Sequence, residues 1–174
     1  MDVDGLIERV QDITGHVFRN KLLGAESLQM KEPNCPLRVG GTLHLFNKNR
    51  DLELVGDAVV DAVFVKLWYE ARDYKGDCYS LAAWTQMRKD LTSNEKFAER
   101  GFSLGLGQLI IKNSGMLTPT KDMVANTLEA IIGAICMDAG ENSFGAVRNA
   151  LEHMGFFDHP LLSGLSTVEP IVLA

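Results

Sequence analysis

Three acidic residues, Glu53, Asp57 and Asp61, recur at every fourth position within NRDLELVGDAVVDAVFVKLW, residues 49–68. On a helix this interval stacks the carboxylates along one face. Like charges four apart repel, and a buried ionised carboxylate is costly unless something pairs with it. No Lys or Arg lies between Asp51 and Val65, so the stretch supplies no cation of its own. Either the face is wet or a cation from elsewhere sits on it. A second stretch, MVANTLEAIIGAICM at 123–137, repeats the pattern, with Asn126 and Glu129 three apart and Asp122 four before Asn126. Two such helices packed together would make an oxygen-only pocket, the donor type that hard cations such as Mg2+ prefer. The same groups could instead favour helix N-terminal dipoles or pair with Lys and Arg across the core. Spacing alone leaves both readings open.

The elements that must position these residues are themselves legible. Leu52, Leu54, Val55, Val59, Val60, Val63, Phe64, Val65 and Leu67 make the first stretch apolar nearly all the way round, the mark of a buried helix. Leu6, Ile7, Val10 and Ile13 at helical spacing, closed by Gly15, predict a helix over residues 3–14. Further helices are expected over about 19–30, 81–100, 121–138 and 141–154, with a short one within 103–109. Residues 32–48, with two prolines and a Gly-Gly pair, read as a loop. No strand is convincing, so the expected class is all-α: one domain over 1–155 and a C-terminal tail over 156–174.

The chain has 174 residues, 46% of them hydrophobic, enough for one sizeable core. Cys35, Cys78 and Cys136 are odd in number and unclustered, which argues against a disulfide framework or a zinc site and fits a reducing compartment. The four histidines form no ligand-spaced set, and SLGLG lacks the GK[ST] of a P-loop. The N-terminus is too polar for a secretory signal, and no apolar run reaches membrane-spanning length. An intracellular protein is expected, cytoplasmic or nuclear, with a mitochondrial setting left open. The net charge of −6 is unusual for a nucleic-acid binder. Any basic stripe must draw on Arg38, Lys48 and Arg50, or on Arg88, Lys89 and Lys96.

Four blocks in order resemble one family. LELVGDAVVDAVF is similar to the ribonuclease III signature LEFLGDAVL, and VANTLEAIIGAICMDAG to that family's LADAFEALIGAIYLD. RKDLTSNEKFAERGFSLGLG between them resembles LVSNETLARIARELGLG, and ITGHVFRNKLLGAESL resembles the opening GYRFKDPELLLQALTH. The resemblance implies a ribonuclease III-like endonuclease domain and a divalent-metal site at Glu53, Asp57, Asn126 and Glu129. It further implies Mg2+, with Mn2+ as a substitute, and hydrolysis of double-stranded RNA to 5′-phosphate and 3′-hydroxyl ends. A homodimer is implied through the signature helix, with Leu54 at the position of the family's anchoring phenylalanine. Family members usually carry a double-stranded-RNA-binding domain, and the residues after Met154 are too few for one. RNA affinity is therefore expected from the dimer or from a separate RNA-binding partner protein. Two positions depart from the pattern: Asn126 stands where the family has Asp, and Leu81 falls where an EGxLS segment has Glu. These departures carry the alternative, a catalytically weakened relative serving as a structural or ribonucleoprotein-assembly subunit of mitochondrial-ribosome type.

Overall fold

A computed structural model describes residues 1–162. Seven α-helices follow in chain order: α1 (Asp4–Thr14), α2 (Lys21–Ser27), α3 (Arg50–Glu70), α4 (Leu81–Thr92), α5 (Asn94–Ser103), α6 (Lys121–Ala139) and α7 (Ser143–His153). A hairpin of β1 (Cys35–Val39) and β2 (Thr42–Phe46) separates α2 from α3. The mostly helical class holds; the hairpin departs from the all-α expectation.

The centre of the domain is α6, against which α2, α3, α5 and α7 all pack. Its apolar residues surround it: Val124, Leu128, Ile131, Ile132 and Ile135 are fully buried. By length and composition alone the stretch Lys121–His153 could cross a membrane, but most of its apolar part is enclosed by the other helices. The helix starts at Thr120, whose hydroxyl accepts from the Met123 amide at 3.2 Å, and ends at Gly140 with φ 59°. The other apolar helix, α3, is not enclosed on every side. Leu52, Gly56, Val60, Val63, Phe64 and Leu67 face inward, whereas Leu54 is 71% exposed.

The hairpin corrects the loop expected over 32–48. Gly40 and Gly41, both at positive φ, supply a two-residue turn, and Val39 then pairs with Thr42 and Leu37 with His44. Pro36 lies opposite Leu45, one step beyond the Leu37–His44 pair. The alternation along β1 buries Cys35, Leu37 and Val39. On its other edge, Arg38 donates to Met1 O and accepts from Val3 N, fastening the N-terminus.

The single helix expected over 81–100 is two. The backbone at Ser93 is extended (φ −65°, ψ 147°), so α4 stops and α5 starts at the same residue. Beyond the boundary expected at residue 155, Phe156, Phe157 and Leu162 are buried. Both phenylalanines lie 6.4 Å from Phe64 between ring centroids, and Phe156 lies 5.2 Å from Phe97. This apolar cluster holds the start of the expected tail in the core; residues 163–174 lie outside those described.

Candidate active site

The start of α3 is set by a buried asparagine. Asn49 donates from its backbone to Gln29 O at 3.0 Å and from its side chain to Ser27 O at 2.8 Å, which ties the helix to the end of α2. From that anchor, Arg50, Glu53, Leu54 and Asp57 follow on one side of α3. Asn126 and Glu129 stand in the first turns of α6.

Two glycines bring the helices together. A Cβ on Gly56 would lie 1.9 Å from the Glu129 carbonyl oxygen, and one on Gly133 would lie 2.0 Å from the Leu52 carbonyl oxygen. Any side chain at either position would drive the backbones apart, so α3 and α6 touch main chain to main chain. This crossing sets Glu129 beside Glu53 and Asp57. The signal was present in the sequence: a glycine inside an otherwise apolar helix commonly marks close backbone approach.

Glu53, Asp57, Asn126 and Glu129 all line one cleft of about 470 Å³, together with Arg50 and Asn94. Glu129 feels the site most strongly. Burial, then the neighbouring charges of Asp57 and Glu53, push its carboxyl up to about 7. No hydrogen-bond donor among the described residues offsets this. Asp122, expected on the same face of α6, is exposed and stands outside the cleft. Asp61 is also set apart. Arg88 of α4 donates to both its oxygens, from Nε at 2.9 Å and from Nη2 at 2.6 Å, so a cation from elsewhere does sit on the end of the acidic row. Sequence reasoning grouped Arg50 with the basic residues and Asn94 with the third block; the structure adds both to the cleft wall.

The other exposed or polar candidates fall elsewhere. Arg38 bonds Gly41 O at 2.7 Å, and Lys96 pairs with Glu99 at 2.7 Å. Trp68 and Trp84 are half-buried, their rings 6.0 Å apart and tilted at 46° to each other. His16 donates to or accepts from Asp138 at 2.9 Å at the far end of α6, and His159 lies 3.6 Å from Asp90.

This arrangement has relatives. Ribonuclease 3 of Campylobacter jejuni is 35% identical over 100 residues, covering 53% of this chain and 41% of that protein. Ribonuclease 3 of Bdellovibrio bacteriovorus is 28% identical over 135 residues, covering 75% and 54%. The chain thus spans about half the length of the curated relatives it matches. Among solved structures, the nuclease domain of ribonuclease III from C. jejuni superposes with a TM-score of 0.66 at 26% identity, over 85% of this chain and 95% of that one. A second structure of that domain gives 0.63 at 28% identity. The sequence model of the Ribonuclease III domain matches residues 50–140, just over half of the chain and the whole of both acidic helices. By that match the protein belongs to the ribonuclease III family.

Proposed function

We propose that this domain is a Mg2+-dependent endoribonuclease that hydrolyses phosphodiester bonds in double-stranded RNA, leaving 5′-phosphate and 3′-hydroxyl ends. One observation carries the reading: Glu53, Asp57, Asn126 and Glu129, the positions that match the family's site, line a single cleft where α3 crosses α6. The donor set fits Mg2+. It offers only oxygens, and it includes a half-buried carboxylate, Glu129, pressed by two others and lacking a protein donor. Among the described residues no three His, Cys, Asp or Glu side chains close into a cage. Mg2+ keeps several waters and takes few protein ligands, so an open wall suits it. When bound, the ion lowers the pKa of a coordinated water and offsets charge at the phosphorus. The chain's own part is to hold Glu53, Asp57 and Glu129 in fixed register, through the Gly56–Gly133 crossing and the Asn49 anchor.

Cleavage by a preparation in Mg2+, lost in Glu129→Gln and in Asp57→Asn with unchanged circular dichroism, is the expected result. Undiminished cutting by either variant would reject the assignment. A specific observation also supports the weakened reading: Asn126 supplies an amide dipole in place of a charge, and Leu81, at the family's Glu position, is 73% exposed. Total inactivity of the wild type in both Mg2+ and Mn2+ would promote it.

The same reading includes a homodimer. Leu54, Ala58, Ala62 and Val65 are exposed at helical intervals along α3, continued by Tyr69, over whose ring Arg72 lies at 5.6 Å, and this makes an exposed apolar strip. One C. jejuni structure is described by flexibility in a region involved in dimer formation of its nuclease domain. Leu54→Asp should convert dimers to monomers in sedimentation; a wild type that is monomeric at tens of micromolar would end the idea.

A further inference from the structure

Next to the carboxylate cleft lies a second depression of about 420 Å³, walled by Trp84, Thr85, Arg88, Lys89, Ser93 and Asn94. It shares Asp57 and Asn94 with the cleft, so the two are continuous. We propose that this depression is a phosphate subsite, taking the non-bridging oxygens of an RNA phosphodiester next to the one held at the carboxylates. The proposal rests on the nuclease reading and deepens it.

The two depressions differ in the balance of charge they present. The cleft presents Glu53, Asp57 and Glu129, and an RNA backbone approaching that row meets like charge. The second depression has the shared Asp57 carboxylate at its edge and adds a guanidinium and an ammonium beside neutral hydroxyl and amide groups. Arg88 has five N–H donors in a rigid fork, and Asp61 occupies only its Nε and Nη2 sides. The remaining N–H groups are uncommitted, and the Asp61 contact fixes the plane in which they lie. Lys89, exposed, makes no ion pair or hydrogen bond among the described residues. Ser93 and Asn94 side chains likewise have no partner there. Trp84, braced against Trp68 at 6.0 Å, forms a firm wall.

The spacing suits a neighbouring phosphate. Asp57 and Asp61 are one turn apart on α3, about 6 Å along the axis. Arg88 is seated on Asp61 and still senses Asp57, so its charge lies one turn from the cleft. Arg50 stands on the cleft wall itself, from the first turn of α3. The acidic row therefore has a cation near each end, where an extended polyanion crossing it would continue. An arginine that served only to clamp α4 onto α3 would need neither the free Lys89 beside it nor the unpartnered Ser93 and Asn94.

The test is binding of a short RNA duplex by the full chain, followed by fluorescence anisotropy across a salt series with Ca2+ in place of Mg2+. Arg88→Ala and Lys89→Ala should each weaken binding several-fold and flatten the slope of log K against log salt by about one. Lys31→Ala, which touches neither depression, should leave the slope alone. Asp61→Asn discriminates most sharply: it frees the guanidinium and removes an anion, so it should bind RNA several-fold more tightly than wild type. A purely structural ion pair predicts instead that Asp61→Asn weakens binding as Arg88→Ala does, and that result overturns the subsite. Unchanged slopes in Arg88→Ala and Lys89→Ala, with wild type binding, overturn it as well while sparing the nuclease reading. Failure of wild type to bind duplex RNA would take down both.

Discussion

Two carboxylates on α6, one at mid-helix and one near its C-terminal end, have opposite fates. Asp138, near the C-terminus, is buried, with 8% exposure. Burial alone would raise its carboxyl. The Asn20 amide at 2.8 Å, the Arg19 amide at 3.0 Å and the His16 ring at 2.9 Å outweigh that and hold it below the ordinary carboxylate range. Glu129 is half-buried with no donor among the described residues, and burial, then the charges of Asp57 and Glu53, push its carboxyl up to about 7. Burial raises both carboxyls; the donors around Asp138 reverse that, and among the described residues none does so for Glu129. Asp138 is a structural rivet joining α6 to the segment before α2, whereas Glu129 has no compensating donor among the described residues, which is the mark of a candidate functional acid.

The contrast can be broken at the crossing that creates it. Gly133→Ala sets a methyl against the Leu52 carbonyl and should destabilise the fold by about 3 kcal/mol in urea melts, with activity falling further as the cleft opens. A variant as stable as wild type would mean that the helices do not touch as described. Asp138→Asn removes the acceptor charge from three donors and should cost about 2 kcal/mol, with activity per folded molecule kept. Loss of activity in fully folded Asp138→Asn would erase the division between rivet and site.

The pH dependence of the metal-free protein should separate the two acids by sign. Asp138, depressed, stabilises the fold above the unfolded value near 3.8 and stops doing so as pH falls through its folded pKa. Glu129, raised, binds its proton more tightly when folded, so stability declines as pH climbs from 4.5 to about 7. In EDTA, thermal melts of Glu129→Gln should lack that decline, and those of Asp138→Asn should lack the acid-side loss. An unaltered profile in Glu129→Gln would show that another group titrates. The smallest effect is expected from Asn126→Asp, which adds a charge to the wet side of the cleft and should lower metal-free stability by under about 1 kcal/mol. Mg2+ should reverse that loss and speed cleavage; a destabilised protein that ignores Mg2+ would favour the structural reading.

The two acidic helices were readable because their apolar residues run nearly all the way round and leave only the acidic positions to explain. Their juxtaposition followed from the family blocks, but its physical cause, the Gly56–Gly133 contact, lies between residues far apart in the chain. Asp138 was invisible for the same reason: its partners are His16, Arg19 and Asn20, more than a hundred residues away. The hairpin was missed because Pro36 and Gly40-Gly41 suggest a loop. Yet Pro36 lies at a rung that needs no N–H from it, between Cys35 and Leu37, and the glycine pair is itself a turn signal. The break at Ser93 interrupts no hydrophobic period, since Met87 and Leu91 lead directly to Phe97 and Ala98 on the buried side.

The central position of α6 also governs how the chain can mature during synthesis. α2, α3 and α5 are made first, yet all three pack on a helix that begins at residue 121. Until residue 139 has left the ribosome, the faces of those helices that rest on α6 stay uncovered. At translation rates of about 5–20 residues per second, that interval is several seconds of exposed apolar chain. The core of the domain therefore closes late, once α6 is available.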